Sequence, residues 1–152
     1  MRKLLLFCLF FFCFVPCSQA ADGVISVKSA FNVDTTAKRL ETVLTKKGMT
    51  IFARIDHAAG AARVGKKLRP TVLIIFGNPK IGTPLMQSSQ TMGIDLPQKA
   101  LIWEDESGQT WFSYNDPHYL AARHGVNNRE AVVQKIEKVL ANFARQTTTI
   151  EK

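Results

Sequence analysis

Hydrophobic residues change their spacing several times along this chain, and each change marks an element. Ile25, Val27 and Phe31 share one phase of a two-residue alternation, which predicts a strand over Val24–Phe31. Val33, Ala37, Leu40, Val43 and Leu44 then fall on one helical stripe, with Asn32 or Asp34 as its cap and Gly48 as its stop. Alternation returns over Met49–Asp56: Met49, Ile51, Ala53 and Ile55 point one way, Thr50, Phe52, Arg54 and Asp56 the other. The small residues of Ala58–Gly65 suit a short helix, and the unbroken apolar run Thr71–Phe76 suits a central strand. Gly77-Asn78-Pro79-Lys80 reads as a turn. Thr83-Pro84 reads as a cap followed by proline in the first helical position, for a short helix through Leu85, Met86 and Gln87 that ends near Gly93. Ala100–Asp105 and Thr110–Asn115 form a hairpin about Ser107-Gly108. Asp116-Pro117 repeats the cap-plus-proline start, and Gly125 closes that helix. Asn127 opens the last helix, with Glu130 placed for a capping box and Val132, Val133, Ile136, Val139, Leu140 and Phe143 as its buried stripe. After Arg145 the chain turns polar, which predicts fraying, and residues 148–152 are assigned to a polar tail.

Two long amphipathic helices and five short strands can be satisfied by one arrangement: a single, mainly antiparallel sheet with both helices on one face, an α+β fold. In a meander the third and fifth strands run the same way, so Asn78 and Asn115 lie at one end of the sheet. His57 joins them only if the second and third strands are parallel.

The first segment has a different character. Arg2 and Lys3 precede an apolar run, Leu4–Val15, which Pro16 breaks before the small residues of Ser18-Gln19-Ala20. That is the layout of an export signal, and the run is shorter than the roughly 20 apolar residues a membrane-spanning helix needs. The expectation is cleavage after Ala20, a domain over 21–147, a periplasmic or secreted location and no lasting membrane anchor. The rival is lipidation at Cys17, against which Pro16 argues. All three cysteines (Cys8, Cys13 and Cys17) fall within this leader, so the mature domain has neither thiol nor disulfide chemistry. The formal charge of +8 would suggest nucleic acid in another compartment. Export and the lack of aromatics among Arg63, Lys66, Lys67 and Arg69 point instead to a solvated face, and no nucleic-acid partner is expected.

Candidate chemistry sits where polar residues interrupt regular elements. Asp56 and His57 end the second strand. Asn78, Thr83 and Met86 belong to the next connection. Tyr114, Asn115 and Asp116 end the fifth strand, and Arg123-His124 lie one short helix later. The stretches IDHAAGA, FGNPKIGTPLM, IDLPQKALIWED and YNDP with LAARHG closely resemble the domain-of-unknown-function 302 family, over nearly all of the mature chain. The resemblance implies a small α+β fold akin to β-α-β4-α proteins, in which the second and third strands are antiparallel, and an ability to form homodimers. It leaves activity and cofactor open.

Each candidate has a functional and an architectural reading. Free backbone N–H groups at Thr83–Met86 could hold an anion at a helix start, or Asn78 and Thr83 could satisfy those groups as ordinary turn chemistry. His57 could work with Asp56 as acid and base, although neighbours on a strand face opposite sides. Alternatively, His57 could cap the following helix. Asp116 is explained as a cap and Asn115 as a turn residue. His57, His118, His124, Met86 and Met92 lack tight ligand spacing and a thiol, so no metal site is expected. Trp103 and Trp111 suit packing on a sheet or dimer face. These features leave three functions open: a binding domain for a small polar or anionic ligand held by the Asn78–Met86 and Tyr114–Asp116 loops; a thiol-independent hydrolase or lyase using His57 or His124 with Asp56 or Asp116; and a structural module that dimerises through its sheet.

Overall fold

The computed structural model describes residues 23–150. The leader, its cysteines and its cleavage point lie outside them. Strands β1 (Val24–Lys28), β2 (Thr50–Asp56), β3 (Thr71–Gly77), β4 (Gln98–Glu104) and β5 (Thr110–Asn115) make one sheet in the order β1-β5-β4-β3-β2, antiparallel throughout. The helices are α1 (Val33–Lys46), α2 (His57–Arg63), α3 (Pro79–Ser88), α4 (Pro117–Arg123) and α5 (Glu130–Thr148), with a 3-10 turn over Gln90–Ile94. Helix α1 packs on β2, β3 and β4, while α5 packs on β1, β5 and α1. Their stripes meet Ile74 and Phe76 of β3, Ala100 and Ile102 of β4 and Phe112 of β5, all buried. The α+β class, the element order and the antiparallel sheet are those the hydrophobic pattern predicts.

Several local features differ. The alternation in β2 does not hold. Ile51 pairs with Phe76, but Ala53 pairs with Ile75, so Phe52 is a bulge residue that resets the phase. Beyond it Arg54 lies on the helix-covered side, where its guanidinium reaches Asp34 and Glu41 of α1, and Ile55 is turned to solvent at 39% exposure. Strand β1 stops at Lys28. The side chain of Ser29 accepts from the Phe31 N–H and shares a 2.8 Å hydrogen bond with Thr36, which turns the chain into α1. Helix α3 begins at Pro79, capped by Asn78, rather than at Pro84. Helix α5 begins at Glu130, with Arg129 rather than Asn127 at the cap position and no side-chain cap, and Glu130 Oε1 accepts from Gln134 instead of closing a capping box.

The chain after Arg145 does not fray. Helix α5 continues to Thr148, and Thr147 and Thr148 are buried. The terminal carbonyls of a helix have no partner within it. Here Arg39 of α1 supplies one: its Nε donates to Thr147 O at 2.9 Å, and its Nη2 to Gln146 O at 2.8 Å and Thr149 O at 3.0 Å. The same guanidinium lies over the Phe31 ring, 4.3 Å from its centroid. A planar cation with several donors fits this role, and an ammonium does not. Arg39→Ala is expected to lower stability by about 2 kcal/mol, the range for hydrogen bonds to a charged group, with Arg39→Lys recovering less than half, measured as the shift in denaturant midpoint at constant slope.

Candidate functional site

An antiparallel sheet separates the candidates by strand direction. Thr50, Gly77, Gln98 and Asn115 lie at one end, while Asp56, Thr71, Glu104 and Thr110 lie at the other. Asn78 and Asn115 therefore share an end, two strands apart, which is roughly 10 Å by strand spacing. Asp56 and His57 are at the opposite end, so one small ligand within a protomer cannot touch both groups. Asp56 caps α2 by accepting from the Ala59 N–H at 2.8 Å. His57 is exposed and makes no side-chain hydrogen bond among the described residues.

The Asn78 end contains a cavity of about 200 Å³ between the end of β3, the start of α3, the start of β4 and one side of α5. Phe76 forms its floor. Met49 and Phe52, Met86, Leu96, and Ile136 and Phe143 form most of its wall. Asn78, Thr83 and Met86 line it, and Tyr114, Asn115, Asp116 and the histidines do not. The close approach at Gly77 matters here: a Cβ there would stand 3.3 Å from Pro97 Cβ and 3.5 Å from Phe52 Cε2, so a side chain would crowd the lining.

The helix start beside the cavity is already satisfied. Asn78 Oδ1 accepts from the Lys80 N–H at 3.0 Å, and Asn78 O accepts from Ile81 N and Gly82 N. Thr83 and Met86 lie inside the helix, so the open backbone donors expected around them are absent. What remains polar in the lining is the Nδ2 of Asn78, the hydroxyl of Thr83, the amide of Gln98 and the ammonium of Lys135. Gln98 and Lys135 were not among the sequence candidates. Gln98 was findable: it occupies the core-facing phase of β4 with Ala100 and Ile102, a polar residue where the pattern calls for an apolar one. Lys135 carries no such signal, since it borders the stripe of α5 as many lysines do.

The other loop is architectural. Tyr114 is buried, edge-on to Phe112 with centroids 6.0 Å apart. Burial, with Asp116 and Glu137 nearby, pushes its hydroxyl above the usual tyrosine range. Asp116 caps α4 by accepting from His118 N at 2.8 Å, and its own N–H donates to Gly23 O. Asn115 pairs with Val24 in the sheet. His124 has a carboxylate partner, but it is Asp95: Nε2 lies 2.6 Å from Asp95 Oδ2 and Nδ1 lies 2.9 Å from Thr91 Oγ1. With Nε2–H donated to the carboxylate, Nδ1 accepts from the threonine hydroxyl. Arg123 also reaches Asp95, at 3.5 Å. The His124 side chain is 7% exposed and ties the end of α4 to the 3-10 turn.

The family model described as "Domain of unknown function DUF302" matches residues 25–143. The chain belongs to this family. A solved DUF302 protein, an uncharacterized conserved protein from Bacillus stearothermophilus, superposes with a TM-score of 0.71 at 22% identity, over 84% of this chain and 99% of that one. At that identity the likeness concerns the fold. Among curated proteins, "Fluoride-specific ion channel FluC 1" of Brucella suis biovar 1 is 49% identical over 112 residues, which cover 73% of this chain and 44% of that protein. "Fluoride-specific ion channel FluC 2" of Brucella melitensis biotype 1 matches to the same degree over 42% of its length. The chain thus spans less than half the length of these relatives, and no helix among the described residues is long and apolar enough to cross a membrane.

The two histidines that the sequence offered for catalysis should behave differently. His124→Ala, which leaves Asp95 short of a partner in a nearly buried position, is expected to cost about 2 kcal/mol. His57→Ala should leave the unfolding midpoint unchanged. Equal midpoints for both variants would contradict the structural role of His124.

Proposed function

We propose that the domain is a non-catalytic module that binds a small molecule in the cavity at the Asn78 end of its sheet. The carrying observation is the cavity itself, roofed by α5, floored by Phe76 and lined by three of the residues marked out by the sequence. A concave, mostly apolar site with a few polar groups is the usual form of a small-ligand pocket. Its walls favour a ligand with an apolar body over the wholly polar or anionic one expected from the loops. The acid–base reading has less support, because the cavity lining includes no histidine and His124 is held by Asp95, Thr91 and the α4 corner.

In the fluoride-channel relatives the matched region is a minority of the protein, and its counterpart here has no membrane-crossing helix among the described residues. We take it to be a binding module joined to the membrane-spanning part, which leaves the channel activity to the remainder of those proteins.

A second reading concerns the outer face of the sheet. Leu73, Ile75 and Leu101 are partly exposed there, and neither long helix covers them. Trp103 and Trp111 pair across the hairpin on the same face, stacked with centroids 6.4 Å apart. This apolar surface supports pairing of two copies, as a further part of the proposal, and the composition of residues 2–20 supports export of the mature chain.

The neutral probe N-phenyl-1-naphthylamine, which brightens in apolar surroundings, should bind the wild type. Thr83→Trp, at an exposed position on the cavity lip, should weaken it about tenfold, or ~1.4 kcal/mol, without lowering the unfolding midpoint. Undiminished binding by this variant, or none by the wild type, removes the cavity as the site. Native mass spectrometry of the full chain expressed in an exporting bacterium should give a dimer of chains that start at Ala21. A monomer removes the sheet-face reading, and a lipid-bearing chain that starts at Cys17 removes cleavage after Ala20.

A further inference from the structure

The polar groups of the cavity differ from its walls in a way that bears on ligand chemistry, an inference that rests on the cavity being a binding site. Gln98 is 9% exposed, lies on the core side of β4, and its side-chain amide makes no hydrogen bond to any described residue. Among the described residues the one fully buried side-chain polar atom without a partner is Thr147 Oγ1, so the Gln98 amide is open to the cavity and free to meet a ligand group there. At the rim, Lys135 has no acidic partner among the described residues. The two glutamates of α5, Glu130 and Glu137, face His118 of α4 instead. Asn78 has given its oxygen to Lys80 N and keeps its NH2 free of protein partners among the described residues. No aspartate or glutamate lines the cavity. The lining therefore offers N–H donors and one cation over an apolar floor, with the Gln98 carbonyl and the Thr83 hydroxyl as its side-chain acceptors and no carboxylate.

We propose that the ligand is an apolar monocarboxylate, with its alkyl or aromatic body against Phe76, Met86 and Phe143 and its carboxylate received by the Gln98 amide and the Lys135 ammonium. A carboxylate accepts hydrogen bonds only, which suits a donor-rich lining, and bonds to an ionised acceptor are about twice as strong as neutral ones. A phosphate dianion fits less well. It would bring more charge than one lysine offsets into walls that cannot solvate it, and the helix start that might have helped is closed by Asn78.

The test compares three compounds with the same eight-carbon body (octanoate, 1-octanol and octylammonium) by calorimetric titration into the full chain and by displacement of N-phenyl-1-naphthylamine. Octanoate should bind about tenfold more tightly than octanol, and octylammonium more weakly than either, since each tenfold step reflects the charge rather than the shared body. Lys135→Gln, on the exposed side of α5, should bring octanoate to within about twofold of octanol. Gln98→Leu should weaken octanoate and leave octanol unchanged or tighter. Octanol binding as tightly as octanoate overturns the carboxylate and leaves the cavity reading standing, as does a Lys135→Gln variant with its preference intact. Failure of octanoate, octanol and the naphthylamine together overturns both. If Gln98→Leu does not fold, the Lys135 variant decides.

Discussion

The contact between Phe76 and Phe143 joins the two halves of this structure. Phe76 is the last core residue of β3 and is fully buried. Its ring meets that of Phe143 of α5 edge-on, with centroids 6.1 Å apart. Aromatic pairs prefer this arrangement, and deleting such a ring from a core typically costs about 3–5 kcal/mol. The contact anchors α5 across the sheet while Arg39 secures the last turn of the same helix. With both held, α5 presents Ile136 and Val139 toward α3, and the space enclosed between them is the cavity. Site and core are thus one construction, because the residue that carries the packing is also the cavity floor.

Most of this architecture was legible because its determinants are local and periodic. The stripes of α1 and α5 and the apolar run of β3 each have one reading. The hairpin was legible from Gly108 between two alternating runs, and there the structure adds only detail: Asp105 accepts from Trp111, Ser107 and Gln109, which holds its carboxyl down at about 2. The misread places are those where two local signals compete or where a distant partner decides. Asn78-Pro79 and Thr83-Pro84 are equally good helix starts. The earlier one prevails, and Pro84 is carried inside α3, where it forgoes one backbone hydrogen bond. Nothing near Phe52 announces a bulge. Its consequence is non-local: the shift brings Arg54 over Asp34 and Glu41 of α1. The polar end of α5 looked prone to fray because Arg39, its partner, lies more than a hundred residues earlier.

The candidate site was legible in part for the same reason. Asn78, Thr83 and Met86 sit in a connection whose glycines and prolines mark it as special, and the cavity opens there. The motif around Tyr114, Asn115 and Asp116 is as conspicuous in sequence, yet its groups are consumed in capping α4 and closing the edge of the sheet. Polar residues beside prolines serve helix starts and ligand sites alike, and only the use of their hydrogen bonds separates the two. Asp56 and His57 illustrate the topological part of the problem. A strand that reverses direction carries them the length of the sheet from Asn78, whatever their chemistry.

Gln98 is a polar residue on the core-facing phase of its strand, and its amide opens to the cavity. The inward positions in the middle of β4, Ala100 and Ile102, are apolar and buried, whereas Gln98 stands at the first position of the strand, beside the cavity. Local rules are broken in folded proteins chiefly where function or strain holds the exception in place. Gln98 opens β4, directly after Pro97, and is paired in register with Phe76. The amide borders a space walled by phenylalanine and methionine, in which water finds few partners and a polar ligand group finds a good one. On the proposed reading, a bound molecule would supply the partner that this amide lacks within the protein.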